Sequence, residues 1–146
     1  MDDIYPFVSF HFKVSISGLE DKEDTYFQSV SGLEVSMDTE EYAEGGENRF
    51  KYKLPVKTKY NNLILKRGLT SSSGLTDWCK ETMENFNFET RSLTIDLLNE
   101  AHEPLMTWNV VNAIPVKWAI DAFNSSESKI AIETMEFSYQ YFTRIN

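Results

Sequence analysis

The sequence predicts a mainly β domain, an antiparallel β-sandwich or half-barrel with one packed α-helix. Three observations carry this expectation. Val8, Phe10, Phe12, Val14 and Ile16 alternate with Ser9, His11, Lys13, Ser15 and Ser17, the period-two pattern of a strand with one buried and one wet face. Leu75, Trp78, Cys79, Thr82, Met83 and Phe86 fall at i, i+3, i+4, i+7, i+8 and i+11, the one strong helical period in the chain. The longest apolar runs are three or four residues, too short for a membrane-spanning helix.

The elements follow in order. Gly18-Leu19-Glu20-Asp21 reads as a turn and Glu20 to Asp24 as a solvated loop. A second strand is expected near Tyr26 to Val30, and a third where Leu33, Val35, Met37 and Thr39 alternate. Gly45-Gly46 breaks the pattern. A fourth strand carries Phe50, Tyr52 and Leu54 on one side and Arg49, Lys51 and Lys53 on the other; Pro55 ends it or confines it to an edge. Ser71-Ser72-Ser73 is a cap cluster before the helix. Further strands are expected at Leu93 to Leu97, Leu105 to Val111, Pro115 to Trp118 and Ile130 to Phe142. Asn99 to Pro104 is a hairpin-like connection and Asp121 to Ser128 a loop. There is no internal repeat and no linker, so residues 1–146 form a single domain, long enough to bury about two-thirds of the unfolded surface.

Composition narrows the function classes. Apolar residues at 41% and charged residues at 25% fit a globular protein. Cys79 is the single cysteine, so no intrachain disulfide forms. The start MDDIYPFVSF lacks the apolar run of a secretory leader. A net charge of −9 argues against nucleic-acid binding, which needs clustered Lys and Arg on a basic face. His11 and His102 lie far apart in the sequence without a further ligand at metal spacing, so no metal is expected. Cys79, on the apolar stripe, reads as a buried inert thiol. Gly45-Gly46 lacks the strand-to-helix context and following Lys of a phosphate loop. The carboxylates fall in loops and on strand edges, with no apolar surroundings to tune them for acid–base work. Trp78, Trp108 and Trp118 read as core. No catalytic residue and no cofactor is expected, and the chain is not expected to be an enzyme.

The charges are sorted. From Leu19 to Glu47 the chain carries ten acids and one base, Lys22; from Arg49 to Arg67 it carries seven bases and no acid. Either the two stretches neutralise each other inside one hairpin, or they meet between copies in a head-to-tail contact that closes into rings or stacks into filaments. On the second reading Glu41, Glu44, Glu47, Arg49, Lys51, Lys53, Lys57 and Lys59 are subunit-interface residues.

Two blocks then carry a family resemblance. The first is Glu41-Tyr42-Ala43-Glu44-Gly45-Gly46-Glu47-Asn48-Arg49-Phe50, followed by Lys53-Leu54-Pro55 and Asn62-Leu63-Ile64-Leu65-Lys66-Arg67-Gly68-Leu69-Thr70. The second is Trp108, Asn112 to Trp118, and Ala131-Ile132-Glu133-Thr134 with Glu136, with Leu75-x-x-Trp78 between the blocks. This arrangement resembles the tail tube proteins of contractile phage tails and phage-derived injection systems. The sequence departs from the family at Tyr139-Gln140-Tyr141-Phe142, where a Glu-Gly pattern is expected. The resemblance implies a structural subunit made in the bacterial cytoplasm. Six copies would close into a ring whose strands join as one barrel, and rings would stack into a tube inside a contractile sheath. Its partners would be itself, the sheath, baseplate and tube-terminating proteins, and cargo, either protein effector or DNA, with no membrane insertion by this chain. Ser9, His11, Lys13, Ser15 and Ser17 become candidates for the lumen wall. A tube-initiating paralogue at the baseplate is the alternative within the family, and a monomeric ligand-binding β-barrel the alternative outside it.

Overall fold

The first alternation becomes strand β1 (His11–Ile16), with Val14 fully buried, Phe12 and Ile16 packed on the core from the same side, and Ser15 exposed on the other. This is a computed structural model describing residues 11–18, 26–42, 45–46, 51–69, 74–121 and 131–145. The described elements continue with β2 (Tyr26–Phe27), β3 (Ser29–Ser31), β4 (Val35–Tyr42), β5 (Tyr52–Tyr60), β6 (Leu63–Gly68), α1 (Gly74–Glu84), β7 (Arg91–Leu98), β8 (Pro104–Ile120), β9 (Ile132–Ser138) and β10 (Tyr141–Arg144).

All pairings are antiparallel. One sheet runs β2-β1-β7-β8-β10 and the other β3-β6-β9-β8, so β8 belongs to both. Its residues up to Ala113 pair with β7 and those from Ile114 with β9. Asn112 sits at the changeover with φ 52°, a left-handed conformation that asparagine accepts at low cost. The two strands expected at Leu105–Val111 and Pro115–Trp118 are therefore one long strand, bent rather than interrupted. Strands that pass from one sheet to the other make the corners of such a sandwich. β9 and β10 behave alike: Ile114↔Ser138 and Val111↔Tyr141 are three residues apart on both strands, so the two form one ribbon along one edge of β8.

β2 pairs with β1 and β3 with β6, and between them the Gln28 N–H donates to the Lys66 carbonyl at 2.9 Å. The single strand expected over Tyr26–Val30 is thus split by Gln28, and the sheet path that begins at β2 ends on its chain neighbour β3. The expected half-barrel closes through this segment. Gly32, just after it, has φ 90°, and a Cβ there would stand 1.9 Å from the Asn62 carbonyl oxygen, so backbone lies against backbone where only glycine fits.

α1 packs Leu75, Trp78, Cys79 and Thr82 onto the sheets. The Trp78 ring stacks on Phe137 at 5.4 Å, and its indole N–H donates to the Glu89 carbonyl at 2.8 Å, so the polar edge of the buried ring is satisfied. Val14, Phe27, Leu63, Leu65, Leu93, Ile95, Val110, Ala113 and Met135 complete the core. The helix ends at Glu84, earlier than the apolar period predicts. Phe86, expected on the buried stripe, has φ 51° and is 74% exposed, because a left-handed residue turns the chain off the helix axis. Trp118, expected in the core, is 38% exposed on the outer half of β8. The expected Ser71–Ser73 cap lies outside the described residues.

Candidate assembly surface

The third and fourth expected strands form a separate two-stranded hairpin, β4–β5, joined by ladder pairing to neither sheet. Every residue of β4 except Asp38 is exposed, and every residue of β5 except Tyr60. Pro55 does not end the strand. It lies opposite Thr39 at a bulge, where the register jumps from Asp38↔Lys57 to Thr39↔Pro55 and leaves Val56 as the extra residue. The hairpin is rooted at one end. The Asn61 amide donates to the Glu34 carboxylate at 2.6 Å, and the Tyr60 ring meets Phe142 at 5.2 Å and Tyr139 at 6.0 Å. From that root an eight-residue strand reaches about 27 Å.

A lone hairpin of this length is marginal in water. This one also carries Val35, Met37, Leu54, Val56, Tyr42 and Tyr52 as exposed apolar side chains, with the two tyrosine rings 6.4 Å apart. Its ladder brings the sorted charge blocks together: Asp38 faces Lys57, Glu41 faces Lys53, and Lys51 Nζ stands 3.6 Å from Glu41 Oε2. Neutralisation inside one chain is therefore part of the answer to the sorting. The register leaves Lys59 opposite Ser36 and Glu40 opposite Leu54. Glu44, Glu47 and Arg49 lie outside the described residues. The last base of the block, Arg67, is not on this surface at all but buried in the body.

Two strand edges lack a ladder partner among the described residues. Beyond Ala113, β8 pairs with β9 alone, and β10 pairs with β8 alone, among the described residues. Strand edges are where a further strand adds.

The lumen candidates His11, Lys13, Ser15 and Ser17 lie on and just after β1, on the face away from the core; Ser9 is outside the described residues. Ser17 is tied into the sheet edge: its hydroxyl oxygen accepts the Ser92 N–H at 3.0 Å and its carbonyl accepts from Arg91 at 2.9 Å. The register extends the polar face across three strands, from Lys13 to Asp96 to Thr107 and from Ser15 to Thr94 to Asn109. Thr107 donates to Asp96 Oδ1 at 2.7 Å. Thr94, Asp96, Thr107 and Asn109 are absent from the candidates drawn from sequence, although the alternation Leu93, Ile95, Leu97 marks the residues between them as outward-facing.

Between α1 and the sheets lies a second arrangement that local sequence does not mark. Arg67 and Glu133 are 3% and 1% exposed, with Arg67 Nε donating to Glu133 Oε1 at 2.6 Å. The Trp118 indole donates to Glu133 Oε2 at 3.1 Å, and the guanidinium carbon lies 5.0 Å from the Phe27 ring centroid. The expectation that the carboxylates lack apolar surroundings fails at Glu133. Burial, with Glu133 adding to it, pushes the Cys79 thiol up to about 12, so it stays protonated and inert at neutral pH. The geometry is that of a structural strut: both charges are occupied by each other.

Residues 8–143 match the family described as T4-like virus tail tube protein gp19. The chain belongs to that family. The tail tube assignment agrees with solved structures. A chain of the anti-feeding prophage baseplate, a 6-fold symmetrised structure, superposes with a TM-score of 0.85 at 26% identity, covering 100% of this chain and 98% of that one. A chain of the sheath–tube complex of an extracellular contractile injection system, PVC, superposes at 0.76 with 31% identity, covering 97% and 93%. Hcp1 from Flavobacterium johnsoniae, 17% identical over 92% of this chain and 94% of its own, shares the fold at a TM-score of 0.55. No curated protein matches the chain. The family is one of structural tube proteins, and among the described residues no helix of this tail tube protein is long and apolar enough to cross a membrane.

Proposed function

We propose that the chain is the subunit of an inner tube: six copies close into a ring, rings stack, and the bore conducts cargo inside a contractile sheath. The carrying observation is the exposed β4–β5 hairpin, an apolar and charged arm of about 27 Å that is marginal unless another surface covers it. The edge of β8 beyond Ala113, which has no second ladder partner among the described residues, supplies the second contact, through which sheets of adjacent copies would run on as one barrel and lose their edges. Sheath, baseplate and tube-terminating proteins are its partners on this reading, in keeping with the assemblies from which its structural relatives come. The polar face from Lys13 to Asn109 is the surface offered to the bore, short in apolar groups to which cargo would adhere.

The interface residues are tested by a charge swap. Glu41→Lys with Lys51→Glu and Lys53→Glu preserves the pairing of opposite charges inside the hairpin while reversing what it offers a neighbour. The swapped chain is expected to fold as the native one does, within about 0.5 kcal/mol per exposed change, by circular dichroism. It is expected not to form rings or tubes by electron microscopy. Normal tubes from the swap would assign these charges to the hairpin alone. Copy number in purified particles separates a main tube, with many rings, from a tube-initiating ring at the baseplate, with one.

A further inference from the structure

His11 and His102, 91 residues apart, meet across the end of the first sheet with His11 Nε2 and His102 Nδ1 3.1 Å from each other. Both side chains are set by backbone. His11 opens β1 opposite Leu98, the last residue of β7. His102 lies in the turn that follows, which is locked by Asn99: its side-chain oxygen accepts the N–H groups of Ala101 and Glu103 at 2.9 and 3.0 Å, and its carbonyl accepts the His102 N–H at 3.0 Å. His102 itself is held at φ 61°. Tyr26 walls the pair, its ring centroid 5.7 Å from His11 and 5.9 Å from His102.

The aim of the two rings is informative. The two nitrogens are within hydrogen-bonding distance, but the bond is bent: a linear N–H···N bond at 3.1 Å would place the ring centroids about 5.5 Å apart, since each lies about 1.2 Å behind its nitrogen. They are 4.7 Å apart, with the rings at 73°. For two imidazoles directed at one ion about 2.1 Å away, nitrogen and centroid separations stand in a ratio of about 0.64. The observed 3.1 and 4.7 Å give about 0.66. Nitrogens 3.1 Å apart also subtend about 95° at such an ion, the angle of neighbouring ligands in octahedral or square geometry rather than tetrahedral.

We propose that His11 and His102 form a two-imidazole site for a late first-row divalent cation that takes octahedral or square coordination, Ni²⁺ or Cu²⁺. No group of three His, Cys, Asp or Glu at metal spacing occurs among the described residues, which therefore supply two ligands to the ion. Bound there, it clips the Asn99–Pro104 turn to β1. The inference stands apart from the tube reading, because it concerns one chain and is tested on one chain.

The test is thermal unfolding of the full chain, stripped with chelator and then titrated with NiCl₂ at pH 7.5. A melting temperature raised by about 5–10 °C at a hundredfold excess over Kd is expected, and absent in His11→Ala and His102→Ala. ZnCl₂, which prefers tetrahedral ligands, is expected to give a smaller rise. If either variant fails to fold, nitrogen superhyperfine structure from two imidazoles in the electron paramagnetic resonance spectrum of the native chain with one equivalent of CuCl₂ decides the matter. An equal NiCl₂ response in native chain and folded His102→Ala overturns the site, as does a Cu²⁺ spectrum with one imidazole or none.

Discussion

Arg67 and Glu133 are charges that the fold has taken out of water, and each is tolerated because the other is there. Glu133→Gln takes the carboxylate charge away from a buried guanidinium and is expected to cost about 3–5 kcal/mol, read by denaturant unfolding. Arg67→Met with Glu133→Leu removes both charges and should recover most of that loss; a double variant as unstable as the single would mean that the pair contributes more than mutual neutralisation. Cys79 beside them gives a pH effect of definite sign. Its folded pKa is pushed up to about 12, mainly by burial, whereas the unfolded thiol ionises near its ordinary 9.0. Below pH 9 both states keep the proton and stability is unaffected. Between pH 9 and about 12 only the unfolded state loses it, so stability falls by up to about 1.4 kcal/mol per pH unit from this group. Cys79→Ala should flatten that alkaline limb, and the native thiol should resist alkylation at pH 8 until the chain is unfolded.

At the scale of elements, the helix and the turn after it have opposite roles although both carry large aromatic side chains. Trp78 is 5% exposed and stacked on Phe137, so Trp78→Ala empties a core site and should destabilise the domain by about 3–5 kcal/mol. Phe88, 61% exposed and set edge-to-face against Phe86, should tolerate Phe88→Ser within about 0.5 kcal/mol by the same unfolding measurement. Comparable losses at both positions would place the turn in the core. The β4–β5 hairpin is a third kind of element, its two legs tied by Asn61 and Glu34, packed on the body at Tyr60, and carrying its own ladder and charge pairs. Changes along it should alter what it meets more than whether the body folds.

For the whole molecule, the tube reading assigns each face a different failure. Ser15 is exposed on the polar face of the first sheet, away from the core side of β1. Ser15→Trp should leave the unfolding midpoint nearly unchanged and rings intact by electron microscopy, while obstructing transport in a loaded-particle delivery assay. Loss of stability in this variant would mean that the polar face is packed against something, and the bore would have to be assigned elsewhere.

Much of this was determined by sequence alone. The alternation at Phe12, Val14 and Ile16 and the helical period from Leu75 to Met83 fix the element types, because side-chain direction repeats with the backbone and water sorts the two faces. The blocks around Lys53-Leu54-Pro55 and Asn112 to Trp118 carried the family. Tertiary structure alone decided the rest. That the strand at Leu105 runs on through Asn112 to Ile120 depends on two partners, β7 and β9, which no local pattern encodes. Arg67 reads as one more exposed base until Glu133, 66 residues away, is brought to 2.6 Å in a buried space. His11 and His102 are single polar residues until the β1–β7 register places them side by side. Periodicity reports how one segment divides between water and core; which distant charge or imidazole shares its side is set only when the sheets close.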